Sequence, residues 1–221
     1  MGSVLEVFQR PDFLAQLVVH IELSVVALLI GVAIAMPVAL AVYRSSIWSA
    51  VAVNTGNIGR AVPSLAILAL VFPLMGFGFA PSLVALTLLA IPPILINAST
   101  GLRQVSPQII DAARGMGLSN GQILGRIQLP IAAPVIFAGI RTSAVQVVAS
   151  ATLATFIGGG GLGELIVLGF QRNDLAVQIG GALAVAILAI ITEVGFGIVE
   201  RAFTPKGLIV ARKRREKQKT G

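Results

Sequence analysis

Apolar residues in this chain come in long unbroken runs rather than in alternation with polar ones. Five such runs stand out, from about Leu17 to Tyr43, Ser49 to Leu74, Ser82 to Ala98, Ile131 to Ile157 and Ala176 to Val199. Each approaches or exceeds the roughly 20 residues a helix needs to cross a bilayer core. They are too long for strands, show no period of two, and are rich in Ala and Leu, so the pattern predicts helices. Pro37, Pro63, Pro73, Pro92, Pro93 and Pro134 fall inside the runs. Such prolines are tolerated in membrane helices, where neighbours satisfy the freed carbonyls. Small residues such as Gly180, Gly181, Ala182 and Ala184 let helices approach closely in lipid. The expected fold is all-α: residues 1–221 form one polytopic transmembrane domain of about five spans.

Composition agrees. The chain has 221 residues, 56% hydrophobic and only 11% charged, against about 25% charged in soluble proteins. It has no cysteine and one histidine, which excludes disulfides and thiolate metal sites and leaves little material for acid–base catalysis. The net charge of +7 is concentrated at one end. Arg201, Lys206, Arg212, Lys213, Arg214, Arg215, Lys217 and Lys219 are eight of the sixteen basic residues. A basic tail over 201–221, behind an apolar helix, reads as a cytoplasmic end held at an anionic lipid surface, not as a nucleic-acid site. Glu6 and Asp12 argue against a cleavable signal peptide.

The basic residues also orient the spans. With the tail in the cytoplasm, five spans put the N-terminus outside. The loop carrying Arg44 and the long segment carrying Arg103, Arg114 and Arg126 then face the cytoplasm, while Met75 to Pro81 is uncharged and external.

Residues 99–130 form the one long polar interruption, STGLRQVSPQIIDAARGMGLSNGQILGRIQLP. Ser106 is a good N-cap and Pro107 suits the first helical position. Ile109, Ile110 and Ala113 give an apolar face, and Gly115 and Gly117 supply a stop. Ser119 caps a second helix to about Gln128, which Pro130 ends before the fourth span. A short apolar-faced helix outside the membrane predicts docking to another protein.

The segment resembles the cytoplasmic signature of permease subunits in binding-protein-dependent ABC importers. That signature reads Glu-Ala-Ala, three residues, Gly, nine residues, Ile, one residue, Leu-Pro. Here Asp111-Ala112-Ala113, Gly117, Ile127 and Leu129-Pro130 keep every spacing, with Asp for Glu as the one departure. The resemblance implies a type I importer permease whose coupling helix sits in a groove of a separate ATPase subunit. Asp111, Ala112, Ala113, Arg114, Gly115 and Gly117 are the implied coupling residues. It further implies a second permease, identical or homologous, an external solute-binding protein, and a place in the bacterial cytoplasmic membrane. ATP and magnesium would lie on the ATPase, with no cofactor in this chain. GRAVPSLAILAL (Gly59 to Leu70), AGIRTSAVQVVASATLATFIGGGGLGELI (Ala138 to Ile166) and TPKGL (Thr204 to Leu208) look like the osmoprotectant branch, which carries glycine betaine, carnitine and choline. Permeases for methionine and other small solutes share the architecture and the loop.

Other signals are weaker. GGGGLG (Gly158 to Gly163) lacks the Lys-Ser/Thr of a phosphate loop and reads as an outer gate or a tight turn. Charges inside spans are costly in lipid and often functional. Arg60, Arg141 and Glu193 are such charges. A pairing of Glu193 with one of the arginines would lock helices together or form a gate. His20 and Glu22 are placed at the outer interface. No aromatic cage for a quaternary ammonium is visible, and the scattered charges do not suit an intramembrane enzyme. A channel or secondary transporter would have no use for a coupling loop.

Overall fold

The computed structural model describes residues 4–203. The basic tail beyond Arg201 and the TPKGL stretch therefore lie outside the described residues. Among the described residues every regular element is a helix.

Four helices are long and apolar enough to cross a membrane: α1 (Phe13–Val42), α4 (Phe79–Arg103), α7 (Leu129–Ala151) and α9 (Leu175–Phe203). A fifth span exists only if α2 (Ser46–Ala61) and α3 (Ser64–Met75) count together, because their axes bend by 91°. The apolar run from Ser49 to Leu74 thus folds as a broken pair and not as one continuous helix. The cause is local. A residue before proline is pushed out of the helical region, and Val62 before Pro63 is extended, with ψ 125°. Pro63 also brings no N–H to continue the ladder.

α4 is the axle of the bundle. It packs on α1, α2, α3 and α7. Leu86, Ala90, Ile94 and Ala98 on α4 are fully buried. Small residues set the spacing. A Cβ on Gly31 of α1 would lie 2.6 Å from that of Ala90, and one on Gly139 of α7 would lie 2.5 Å from the Cβ of Asn97. The Ser143 hydroxyl of α7 donates to the Ala90 carbonyl at 2.8 Å, bracing α4 just before Pro92 and Pro93. Leu28, Ala35, Ala39, Ile94, Ala98 and Ile136 make one apolar cluster between α1, α4 and α7.

α9 lies at the rim. Leu183, Ile187, Ile190, Ile191, Val194 and Ile198 are exposed along it, as suits a helix bathed in lipid.

The fourth span also differs from expectation. Pro130 does not end the preceding helix. Residues Asn120–Ile157 run as one 38-residue helical stretch. A π-helical turn at Leu124–Gln128, closed by the Leu129 N–H to the Leu124 carbonyl, absorbs the proline. A 3₁₀ turn over Thr152–Ile157 ends it at Gly158, which is left-handed at φ 73°. Then α8 (Gly163–Gln171) packs across α9.

Candidate functional site

The polar interruption folds as a short helix slung beneath the ends of α1, α4 and α7. Helix α5 spans Pro107–Gly115, with Ser106 extended at its N-cap and Pro107 at the first position. The Ser106 hydroxyl turns to Gln108 rather than capping a backbone N–H. Ala113 is fully buried and Ile110 is half-buried. Ile109 and Met116 are exposed, at 44% and 71%. The apolar residues are thus split: Ile110 and Ala113 hold α5 to its own chain, while Ala112, Ile109 and Met116 face outward. Asp111 and Arg114 pair at 3.5 Å on the exposed side.

The stop is built by glycine. Met116 donates to the Ala112 carbonyl at 3.1 Å, Gly117 to Arg114 at 2.9 Å and Leu118 to Ala113 at 3.2 Å. Gly117 adopts φ +81° and a Cβ there would meet nothing. Backbone conformation, not space, requires glycine here. Gly115 is the last residue of α5. The chain then turns into α6 (Asn120–Ile123), where Ser119 and Gln122 form a capping box.

Behind α5 lies a cavity of about 440 Å³, lined among others by Tyr43, Arg44, Arg103, Asp111, Arg114 and Gln128. Tyr43 donates to Gln128 at 3.1 Å, Arg44 Nε donates to the Tyr43 hydroxyl at 2.9 Å, and Arg103 Nη1 donates to the Ser45 carbonyl at 3.1 Å. These bonds join the ends of α1, α2, α4 and α7 above α5. α5 lies against this joined end and packs on α6, which runs on into α7. The geometry suits mechanical transmission, and the site holds no nucleophile–base pair.

The intramembrane charges separate into two places. Arg141 on α7 binds Glu193 and, at 3.1 Å, Glu200, both on α9. Glu200 was not singled out in the sequence, although its seven-residue spacing from Glu193 puts both on one helix face. Arg60 takes no part in this cluster and makes no ion pair with any described residue. The expected Glu193 partner is thus Arg141.

At the opposite end, His20 is fully buried, in the second turn of α1. Its Nδ1 accepts from the Leu162 N–H at 3.2 Å, so Nε2 carries the proton and donates to the Val148 carbonyl at 2.9 Å. Gln16 accepts from the Gly161 N–H at 2.9 Å and donates to Glu164. The GGGGLG stretch is consequently a tight turn pinned to α1. Gly160 and Gly161 have φ of +76° and +90°, and a Cβ on Gly163 would lie 2.1 Å from the Thr152 carbonyl oxygen. Glu22, also expected at the interface, is exposed on α1. Among the described residues no three acidic, histidine or cysteine groups gather as a metal site.

This architecture has known relatives. Residues 27–206 match the family model described as binding-protein-dependent transport system inner membrane component. The chain is 41% identical over 189 residues to the choline transport system permease protein OpuBB of Bacillus subtilis (strain 168), covering 86% of this chain and 87% of that one. It is 38% identical to the carnitine transport permease protein OpuCB of Listeria monocytogenes over 214 residues, covering 96% and 98% of the two chains. Its fold resembles an inward-facing structure of the MetNI methionine ABC transporter, with TM-score 0.76, 22% identity, and coverage of 87% of this chain and 96% of that one. The chain belongs to the family of binding-protein-dependent transport system inner membrane components.

Proposed function

We propose that this permease carries a quaternary-amine osmoprotectant, of the glycine betaine, carnitine and choline class, inward across the bacterial inner membrane. Separate ATPase subunits supply the energy. The observation that carries the mechanism is α5, a docked helix with Ala112, Ile109 and Met116 facing outward and a glycine stop. An ATPase groove that received this face would bury its apolar surface. Closure of two ATPases on ATP would push α5 against the joined ends of the spans and swing the bundle between inward and outward access. The substrate class is supported by relatives named for choline and carnitine transport.

Two permeases, identical or homologous, enclose the path, and an external binding protein selects the solute. α5 and the C-terminus face the cytoplasm and the N-terminus faces outside. The chain performs no covalent step, so ATP and magnesium sit on its partners. The test is ATP hydrolysis by the purified complex in nanodiscs, with binding protein added empty or loaded with glycine betaine. Loaded binding protein should accelerate hydrolysis. Equal hydrolysis with empty and loaded protein, across glycine betaine, carnitine and choline, would reject this substrate class.

A further inference from the structure

Helix α2 is polar where a membrane helix should not be. Its inner face is small: Ser49, Ala52 and Gly56 are buried, and Cβ atoms built on Gly56 and Gly59 would lie 2.8 Å from Ile96 and 3.2 Å from Pro92 of α4. Its outer surface is divided. Ile47, Val51 and Ile58 are exposed on one side. Asn57 and Arg60, three residues apart, are exposed on the other, with Asn54 exposed at the border between the two. None of these three polar side chains makes a hydrogen bond or ion pair with a described residue.

Depth makes this significant. Arg103 at the end of α4 binds Ser45 and Ser46 at the start of α2, so the two helices run side by side in opposite directions. Arg60 stands 14 residues after Ser46, about 21 Å along the helix axis. It lies beside Gly59, which faces Pro92 near the middle of α4. A guanidinium and two amides at that depth cannot face acyl chains. They need water or protein. The polar side also continues toward the α5 end of the bundle. There a cleft of about 370 Å³ is lined by Ser46, Ser49, Asn54, Thr100, Arg103 and Gln104, together with the apolar Ala50 and Val53. Just beyond Arg60 the helix breaks, and Pro63 offers no N–H to the Gly59 carbonyl. A helix interrupted in mid-membrane, with freed carbonyls beside an unpaired cation, is the form that polar solute sites take in transporters.

We infer that the Asn54–Asn57–Arg60 side of α2 is a wall of the translocation path and that Arg60 receives the carboxylate of a zwitterionic solute. The inference rests on the transport reading above. A guanidinium matches a carboxylate with two parallel N–H donors. The freed carbonyl end of α2 suits the ammonium at the other end of the same molecule. No aromatic residue lies on this wall, so the permease reads the anionic end of its cargo.

Two experiments test this. The chain has no cysteine, so single cysteines report cleanly in the assembled complex. Asn54→Cys and Asn57→Cys should react with a charged, water-borne methanethiosulfonate, and Ile58→Cys should not. Unreactive cysteines at both asparagines would place the polar side inside a dry interface and overturn the wall. Second, uptake of glycine betaine and of choline is compared for wild type, Arg60→Ala and Arg60→Gln, each shown to co-purify with its ATPase subunit. Arg60→Ala should lower glycine betaine uptake at least about tenfold more than choline uptake. If wild type carries only glycine betaine, Arg60→Ala should abolish uptake while ATPase stimulation by loaded binding protein persists; loss of both would overturn the carboxylate role. Wild type that carries only choline, or equal loss of both solutes, would overturn the role of Arg60 while leaving the osmoprotectant reading intact. Wild type that carries neither would reject that reading and this assignment with it.

Discussion

Arg141 Nη1 on α7 lies 3.1 Å from Glu200 Oε2 on α9, and the same guanidinium binds Glu193 two turns earlier on that helix. Gly197 sits between the two carboxylates, and a Cβ there would come within 3.5 Å of Arg141 Nη1. The guanidinium lies across α9 over Gly197, at ordinary contact distance. One cation thus clamps two turns of a rim helix that otherwise has little buried surface.

The clamp predicts an asymmetry between variants. Glu193→Gln leaves Arg141 with Glu200 and should cost at most about 1 kcal/mol. Arg141→Met strands two carboxylates and should cost about 1–3 kcal/mol, less than a fully buried pair because all three side chains are partly exposed. Thermal unfolding of the purified complex in one detergent measures both. If the two variants lose the same stability, the clamp is not what holds α9 to α7.

Gly117 separates folding from coupling. Its φ of +81° costs an ordinary residue about 1–2 kcal/mol, and no neighbour obstructs a side chain. Gly117→Asp should therefore insert and assemble, yet tilt the α5 stop enough to break the link to the ATPase. Solute uptake per ATP hydrolysed should collapse while complex yield stays near wild type. Normal uptake in this variant would show that the turn is a passive connector.

His20 holds two backbone groups at once, the Leu162 N–H and the Val148 carbonyl. His20→Leu leaves both buried without partners, at about 1–3 kcal/mol each. The melting temperature should fall clearly, and the α7–α8 turn should become accessible to protease from the side opposite α5. An unchanged melting temperature would mean that water replaces the ring.

Gly163 tests the same turn by packing. An added methyl would sit 2.1 Å from the Thr152 carbonyl oxygen, which is backbone and cannot swing away. Gly163→Ala should destabilise by about 1–3 kcal/mol, whereas Gly121→Ala, with nothing within 4 Å, should be nearly silent. Equal effects would contradict the packing described.

Much of this was legible in the sequence because it is local. Run length announced α1, α4, α7 and α9, and Ser106, Pro107 and the glycines after Ala113 announced α5 and its stop. Local signals failed where neighbours decide. Pro37, Pro73, Pro92, Pro93 and Pro134 all sit inside continuous helices, while Pro63 breaks one. Nothing in the residue type distinguishes them. The partners of His20 lie 128 and 142 residues away, so an isolated histidine in an apolar run gave no hint of its burial. Of the charges, Glu193 and Arg141 were visible as expensive residues, but Glu200 was hidden by its place near a helix end. Ala112 and Ala113 are adjacent in the signature, but the helix period leaves one exposed and buries the other.

The most direct test is uptake of radiolabelled glycine betaine into proteoliposomes holding the assembled complex, with binding protein added outside and ATP sealed inside. Accumulation that requires both ATP and binding protein is the predicted result. Uptake that proceeds equally without ATP would make the chain a channel or a secondary carrier and would contradict the coupling role assigned to α5.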